Sequence, residues 1–367
     1  MNILYISSKK RWGGVSSWMH RTALGLERKG HSVWILAHPN GRFIKSAPRG
    51  LKLVPKGMGM DYNPVVIYFL VRFIKKNRID LVVTNIEKEV IAGGIAARIC
   101  GIPNIRRVGR EDDFSERFKV KWHHLLLVDQ CIVPCNLVRE NAMKRARWLN
   151  GSQFTTIYNG RNCKSFSADE IKERRKKWGL SDKDFIIGTT SQLSEIKGIE
   201  SLIHVFHRIF KKYPNCYLVI TGEGKEKENL EKIARELDIS EHIIFGGFTQ
   251  NPMQAAAVYD IAVCNSQFEG FPNTVVEYFA VGKPVVTTDV GGVAEMAKNE
   301  ENALLIPCGD DVQLYDKIAL LIEDSELRET LGKNAMNTIK KGFSEKIMLE
   351  NLEALFKDSI RKINFSN

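Results

Sequence analysis

The sequence lacks any long apolar run. Although 44% of its 367 residues are hydrophobic, no stretch approaches the roughly 18 to 20 apolar residues that a membrane-spanning helix needs. The short apolar run at residues 1–7 has no basic segment before it and no small-residue cleavage site after it, so we expect no signal peptide. We therefore predict a cytoplasmic protein, with peripheral attachment to the inner face of the cytoplasmic membrane as the alternative.

Cysteine spacing typical of metal sites is also missing. The seven cysteines are an odd number, and the closest pair, Cys131 and Cys135, has neither the spacing nor the neighbouring ligands of a zinc site. His123 and His124 are adjacent, and neighbouring positions point to different faces of a helix. We predict reduced structural thiols, structural histidines and no bound metal.

The chain has no complete dinucleotide-binding fingerprint. A doubled glycine, Gly13-Gly14, follows the first predicted strand, but the pattern G-x-G-x-x-G is incomplete and no acidic residue closes the strand predicted at residues 33–37. This disfavours a nicotinamide-dependent oxidoreductase. No nucleic-acid-binding module is recognisable either, so nucleic acid is not an expected partner.

Acidic residues are scarce in the first half. Residues 1–163 hold 28 Lys and Arg against 11 Asp and Glu, a net charge of +17, whereas the remaining 26 basic and 32 acidic residues give −6. A basic surface attracts anionic lipid or a phosphorylated substrate, although a solvated basic face explains the charge equally well. Residues 65–78, where an apolar stretch ends in four basic residues, are the candidate membrane-surface segment. A helix covering the first sheet is the favoured interpretation of that segment.

Strands alternate with helices along both halves of the chain, and the series restarts after the polar segment at residues 159–167. The predicted strands lie at residues 2–7, 33–37, 81–84, 155–158, 185–190, 217–221, 243–245, 261–264 and 284–287, and a further strand is predicted to enter Ile105. This α/β pattern predicts two Rossmann-like, doubly wound parallel-sheet domains whose ligand-binding loops face a cleft. We place the domains at residues 1–163 and 164–344, with a C-terminal helix at residues 345–367 packing back on the first domain.

Two glutamates lie eight residues apart in the segment SQFEGFPNTVVE, residues 266–277. Glu269 is predicted in a loop and Glu277 in the helix that follows. A carboxylate there can accept paired hydrogen bonds from the hydroxyls of a sugar or ribose. Four residues near the helix start can offer backbone N–H groups to a diphosphate: Gly270, Phe271, Asn273 and Thr274. An ordinary loop with a capping glutamate explains the same residues, so the pattern alone leaves both interpretations open.

The segment from residue 266 to residue 295 resembles the donor-site signature of the retaining glycosyltransferases of family 4. The family's Glu-x7-Glu motif falls on Glu269 and Glu277, its Gly-Lys-Pro-Val on residues 282–285, and its Gly-Gly-x-x-Glu on residues 291–295. Similarity extends over nearly the whole chain, through four further motifs: Gly13-Gly14, Asn159-Gly160, Lys197-Gly198 and Gly222-Glu223-Gly224. The resemblance implies the GT-B fold, with the acceptor bound mainly by the first domain and the donor by the second.

The same resemblance implies roles for individual side chains. Glu277 would hold the ribose of the nucleotide, Glu269 would contact hydroxyls of the transferred sugar, and Lys197 would neutralise the diphosphate leaving group. Glu269 and Lys197 are therefore the catalytic candidates. The remaining donor-binding candidates are glycines and one amide: Gly13, Gly14, Gly222, Gly224 and Gln192.

Two positions depart from the family pattern. Gln192 stands where the family usually has an arginine, five residues before Lys197, so one cation facing the diphosphate is missing. Arg11 or Arg110 are the candidates to replace it. Gly109 stands where many members have an active-site histidine, so other groups must recognise the acceptor. The acceptor candidates are Arg110, Asp112 and Asp113; a metal-bound diphosphate on the two aspartates is the disfavoured alternative.

We therefore predict retaining transfer of a hexosyl group from a nucleotide diphosphate sugar, with uridine diphosphate (UDP) as the carrier expected from the family. A glycan or glycolipid is the expected acceptor. The basic first domain favours bacterial surface polysaccharide or lipopolysaccharide assembly at an anionic membrane surface. The nucleotide sugar is a co-substrate, and no cofactor or metal is expected. The alternatives are a weakly active or catalytically silent nucleotide-sugar binder, which Gln192 motivates, and a nucleotide-sugar epimerase.

Overall fold

The chain forms two units. A computed structural model describes residues 1–10, 13–46, 50–109 and 111–366. Internal contacts divide them into one unit made of Met1–Asn159 together with the C-terminal segment from Glu345, and a second unit made of Gly160–Ser344. The chain thus enters the second unit at Gly160 and rejoins the first at Glu345.

The first unit is built on a seven-stranded parallel sheet with strand order β3-β2-β1-β4-β5-β6-β7. Its strands are β1 (Asn2–Ser7), β2 (Ser32–Ala37), β3 (Lys52–Pro55), β4 (Leu81–Thr84), β5 (Asn104–Arg107), β6 (Gln130–Val133) and β7 (Phe154–Thr156). Its first helices are α1 (Gly14–Arg28), α2 (Arg42–Ser46), α3 (Pro64–Asn77), α4 (Glu87–Cys100), α5 (Phe118–Leu127) and α6 (Asn136–Arg145). β4 is buried at every position, as a central parallel strand covered on both faces requires.

Helix α3 covers one face of this sheet, which is the interpretation that the sequence favoured for residues 65–78. It begins after Asn63, whose side chain accepts hydrogen bonds from the backbone of Val65 and Val66, and it places proline in its first turn. Its buried stripe is Val66, Leu70 and Ile74, in one cluster with Leu4, Ile6 and Val82 of the sheet. The helix therefore owes its position to core packing, while Val65 and Tyr68 remain exposed.

The second unit is built on a six-stranded parallel sheet with strand order β10-β9-β8-β11-β12-β13. Its strands are β8 (Phe185–Thr190), β9 (Cys216–Thr221), β10 (Ile243–Gly247), β11 (Ile261–Cys264), β12 (Val285–Thr288) and β13 (Leu304–Ile306). Its helices are α7 (Ala168–Lys177), α8 (Ile199–Lys212), α9 (Lys227–Glu236), α10 (Pro252–Ala256), α11 (Asn273–Ala280), α12 (Asp311–Glu323) and α13 (Ser325–Gly342). The two parallel sheets confirm the predicted α/β class.

The last helix, α14 (Glu345–Ser366), belongs to the first unit. Leu352 and Phe356 of α14 lie in one apolar cluster with Trp18 and Leu26 of α1. At the edge of that contact, Lys29 pairs with Glu353 at 2.5 Å. The apolar contact buries both helices, so α14 contributes to the core of the first unit.

Membrane-spanning helices, disulfides and metal clusters are absent from the part of the chain that the structure describes. None of the helices there is both long and apolar enough to cross a bilayer. No disulfide joins any of the seven cysteines, all of which are among the described residues. Within the same residues, no group of three or more His, Cys, Asp or Glu side chains is placed to hold a metal ion.

Both histidines predicted to be structural lie on the buried side of α5. The ring of His124 packs against Phe114, Trp148 and Phe154, and Nε2 lies 3.3 Å from Gln153 Oε1, to which it must donate. Nδ1 is buried and has no hydrogen-bond partner among the described residues. Burial, together with the nearby positive charge of Arg106, lowers the pKa of His124 to about 4. The imidazole is therefore neutral in the folded protein near neutral pH.

We expect His124 to make the protein acid-sensitive. Between pH 6.5 and 4 the unfolded chain takes up a proton that the folded chain does not, so the free energy of unfolding should fall as pH drops. The pKa difference corresponds to about 3 kcal/mol over the whole window. Urea unfolding of the wild type and His124→Phe at several pH values measures this. The variant should be less dependent on pH below 6.5, and equal slopes would contradict the assignment.

Candidate active site

The predicted donor residues of the second unit lie at one edge of its sheet. The strands β8, β9, β11 and β12 are parallel, and the candidates sit in the loops that follow their carboxyl ends or in α11, which begins at Asn273. Residues 191–198 follow β8, residues 222–226 follow β9, and residues 265–272 follow β11. Ligands of open α/β sheets bind at this edge, because the loops there converge.

Lys197 and Glu269, the two catalytic candidates, form an ion pair. Lys197 Nζ lies 2.5 Å from Glu269 Oε1, and the two side chains are only 18% and 13% exposed. The same oxygen accepts a hydrogen bond of 2.8 Å from Ser266 Oγ. An ammonium group has three donors, so this contact leaves Lys197 with hydrogen-bonding capacity for an anion. The arrangement fixes a cation and a carboxylate side by side at the edge of the sheet.

The loop that carries Glu269 is held firmly by its neighbours. The Gln267 amide donates to the Ile196 carbonyl at 2.8 Å, and Thr288 Oγ1 donates to the Ser266 carbonyl at 2.6 Å. Gly291 has a left-handed backbone, with φ of 60°, and a Cβ there would lie 1.7 Å from the Glu269 carbonyl oxygen. Only glycine fits this contact, which explains the first glycine of the Gly-Gly element in the sequence signature.

Glu277 is also paired, with an arginine that the sequence analysis missed. Arg161 donates two hydrogen bonds to Glu277 Oε1, from Nε at 3.1 Å and from Nη2 at 2.7 Å. Both side chains are buried, with 4% and 7% of each residue exposed. No local spacing signals this contact, because 116 residues separate its partners. The buried guanidinium of Arg161 therefore orients the carboxylate of Glu277, the residue predicted to bind the ribose.

The first turn of α11 is tied to the end of β8. Thr274 Oγ1 donates to the Thr190 carbonyl at 3.2 Å, and the Thr190 amide donates to the Tyr278 hydroxyl at 2.6 Å. Before the helix, the Gly270 carbonyl accepts from the Gly292 amide, and the ring of Phe271 stacks on Phe343. These contacts fix the segment in which the predicted diphosphate-binding amides of Gly270, Phe271, Asn273 and Thr274 lie.

Gly222 and Gly224 allow the loops after β8 and β9 to touch. A Cβ at Gly222 would lie 1.8 Å from the Ser191 carbonyl oxygen, and one at Gly224 would lie 1.9 Å from the Leu193 carbonyl oxygen. Loop packing is therefore sufficient to require glycine at both positions, and their contact with a donor stays a prediction. Gln192 lies between the two contacted residues and is exposed.

The glycine pair Gly13-Gly14 lies at the carboxyl end of β1 in the first unit. Gly13 is extended and directly precedes α1, and both glycines are exposed. Beyond its chain neighbours, no described atom lies within 4 Å of a Cβ built on Gly13. Internal packing therefore does not demand glycine there, in contrast to Gly222.

The acceptor candidates lie after β5 in the first unit. Asp113 Oδ2 accepts a hydrogen bond from the Gly109 amide at 3.3 Å, and its carbonyl accepts from Arg106 Nη2 at 3.2 Å. Asp113 thus closes the turn that follows the strand, which favours the structural interpretation of this residue. Asp112 is exposed. Arg110, like Arg11, lies outside the described residues.

A polar network beside this turn was not anticipated. His123 hydrogen-bonds the Tyr62 hydroxyl through Nε2 and the Glu87 carboxylate through Nδ1. Glu87 in turn lies 3.6 Å from Arg106, which is only 1% exposed. Residue type alone did not indicate the network, because its four members come from a loop, a strand and two helices. It gives His123 a defined structural role.

Two parallel-sheet units with flanking helices are the architecture of the GT-B fold. Residues 12–165 match the family model described as Glycosyltransferase Family 4, and residues 170–338 match the one described as Glycosyl transferases group 1. The chain belongs to this family of glycosyltransferases. The family resemblance predicted from residues 266–295 is thereby confirmed.

Individual relatives are similar over different lengths. The chain is 32% identical to the lipopolysaccharide core biosynthesis glycosyltransferase LpsD of Rhizobium meliloti (strain 1021) over 178 residues, 48% of this chain and 51% of LpsD. Thus the chain spans about half the length of this relative. It is 22% identical to the alpha-monoglucosyldiacylglycerol synthase of Acholeplasma laidlawii over 93% of this chain and 92% of that one.

Solved structures share the fold across the full chain. Anabaena Alr3699/HepE, whose crystal structure is in complex with UDP and glucose, superimposes with a TM-score of 0.85 at 20% identity. The superposition covers 97% of this chain and 99% of HepE. At this identity the likeness establishes the GT-B fold.

Proposed function

We propose that this protein transfers a hexosyl group from a nucleotide diphosphate sugar, with UDP as the carrier, to an acceptor hydroxyl and with retention at the anomeric carbon. The observation that carries the proposal is the Lys197–Glu269 pair, held at the same sheet edge as Glu277. HepE, which shares the fold, was solved with UDP and glucose, and this supports the choice of donor.

The proposed chemistry is dominated by the charge of the leaving group. The bond between the sugar C1 and the diphosphate oxygen breaks, and a bond from the acceptor oxygen to C1 forms on the same face. The acceptor proton passes to the departing phosphate oxygen, the base that the reaction itself supplies. Lys197 and the N-terminal amides of α11 stabilise the negative charge as it develops, so no metal is required. Glu269 orients the hydroxyls of the transferred sugar.

We further propose a glycan or glycolipid acceptor of bacterial surface polysaccharide or lipopolysaccharide assembly, bound by the first unit on the cytoplasmic side of the membrane. LpsD is named for lipopolysaccharide core biosynthesis, and the synthase of Acholeplasma laidlawii is named for a diacylglycerol glycolipid. The charge of +17 on residues 1–163 suits an anionic acceptor or membrane surface.

Thermal unfolding with a panel of nucleotides tests the donor site. UDP, GDP, ADP and NAD are added in turn, with and without EDTA. A ligand at a hundred times its dissociation constant should add about 2.7 kcal/mol to the stability of the unit that binds it. We expect UDP to shift the transition and NAD to leave it unchanged. A panel without any shift would overturn the donor assignment.

A nucleotide-sugar binder with little or no transferase activity is the second candidate function, favoured by Gln192. Its exposed neutral amide replaces a cation that would face the diphosphate. UDP release that depends on an added acceptor supports transfer and opposes both this candidate and an epimerase. UDP binding without release, with every acceptor tried, supports the silent binder.

A further inference from the structure

Exposed apolar side chains are concentrated on the first unit. Thirteen large hydrophobic residues are exposed in the described part of the chain, and nine of them lie between residues 60 and 126. Four of the nine belong to one helix, α5: Phe118, Trp122, Leu125 and Leu126. A ten-residue helix that exposes four such side chains is unusual, because surface helices normally turn their apolar stripe to the core.

These four residues share one side of α5. At about 100° per residue, they fall within an arc of about 100°, and His123 and His124 occupy the opposite, buried side. The rings of Phe118 and Trp122 lie 5.5 Å apart, so these two side chains are in contact. Phe118 is 74% exposed, which makes it the most exposed of the four. The helix thus presents an exposed apolar ridge.

Tyr62 extends this ridge from the loop before α3. Its backbone is left-handed, with φ of 57°, a conformation that a bulky residue adopts at a cost in free energy. The hydrogen bond from its hydroxyl to His123 holds it beside α5, and Lys119 Nζ lies 5.7 Å from the centre of its ring. Tyr62, Phe118, Trp122, Leu125 and Leu126 together are called the α5 ridge.

Basic side chains border the α5 ridge on both sides. By the same helical geometry, Lys119 and Lys121 flank the apolar arc on opposite sides, and Arg117 precedes Phe118. Apolar and aromatic side chains flanked by lysines are the composition of helices that lie in a membrane interface. The net charge of +17 on residues 1–163 also favours attraction to an anionic membrane surface.

We propose that the α5 ridge is a docking surface for an anionic lipid bilayer. Phe118, Trp122 and Leu126 enter the boundary between headgroups and acyl chains, while Lys119 and Lys121 remain among anionic headgroups. The ridge is exposed and has cations on both sides, which suits an anionic bilayer surface. This inference rests on the proposed function, in which the acceptor lies at a membrane. It adds the surface through which the protein reaches that membrane.

Vesicle flotation of the full chain tests the inference. Vesicles of phosphatidylcholine alone are compared with vesicles containing one third phosphatidylglycerol. We expect binding to the anionic vesicles only, and a large loss between about 0.1 and about 1 M salt, where the Debye length falls from about 10 to about 3 Å. Lys119→Glu/Lys121→Glu should weaken binding at least tenfold, since each basic side chain near the surface contributes about fivefold. Phe118→Ser/Trp122→Ser should weaken binding to a similar extent.

Matched controls lie on the second unit. Lys172→Glu/Lys176→Glu changes the charge equally on α7, and Val312→Ser/Leu320→Ser removes two exposed apolar residues from α12. Both controls should bind vesicles as the wild type does. Equal weakening by ridge and control variants would overturn the proposal, as would binding to neutral vesicles. Self-association lost in Phe118→Ser/Trp122→Ser without vesicle binding would assign the ridge to an interface between copies. Nucleotide binding, measured in parallel, reports on the donor site separately.

Discussion

Replacing Lys197 with methionine is expected to lower the rate of sugar transfer by about 10²- to 10³-fold, the effect typical of removing one preorganised group that stabilises transition-state charge. Methionine keeps the length and most of the volume of the side chain but carries no charge. The lysine is largely buried, so its charge acts in a medium that screens it weakly. With Gln192 in place of a second cation, Lys197 carries a larger share of the stabilisation than two cations would.

The loss should appear mainly in kcat. A cation that acts on the charge of the departing diphosphate stabilises the transition state more than the bound donor, so KM for the nucleotide sugar should change less. Lys212→Met is the matched control, because Lys212, at the end of α8, pairs with Glu323 at 2.9 Å in an exposed contact of the same unit. Its rate should remain close to that of the wild type. Similar rates for Lys197→Met and Lys212→Met would remove Lys197 from the mechanism.

The sequence predicted most strands of both sheets, because buried parallel strands appear in it as short apolar runs. β1, β4, β8 and β11 lie where the pattern placed them, and nearly all of their residues are buried. β3 was missed: it is only four residues long, ends in proline and is largely exposed or half-buried, so it carries no such run. The interior strand β6 and the edge strand β13 were missed as well, whereas the edge strands β7 and β10 were predicted. Position in the sheet therefore does not by itself decide which strands the sequence pattern indicates.

The site was predictable where its residues are neighbours in sequence. Glu269, the start of α11 and Gly291 belong to one continuous signature, whereas the Arg161 contact forms only after the chain folds. Helix α5 differs from the usual pattern, because the apolar stripe of a surface helix normally faces the core. In α5 the buried residues are the two histidines, and four large apolar side chains are exposed. This exposure is what indicates a docking surface.

Removing the carboxylate of Glu277 is expected to destabilise the second unit as well as to abolish donor binding. Glu277→Leu leaves the Arg161 guanidinium buried without its partner, which should cost about 3 to 5 kcal/mol. The two effects are confounded in the single variant. A lower unfolding temperature with no nucleotide shift would report either a lost ribose contact or a damaged fold, so Glu277→Leu alone cannot assign the residue.

The double variant Arg161→Met/Glu277→Leu separates the two effects. It replaces the buried ion pair with apolar side chains of similar size, a change that is often neutral or stabilising. We expect urea unfolding to show stability close to that of the wild type, while UDP no longer raises the unfolding temperature. If the stable double variant still binds UDP, Glu277 is a structural partner of Arg161 and the ribose is held elsewhere. Recovered stability with lost binding would instead show that Arg161 orients a carboxylate kept for the ligand.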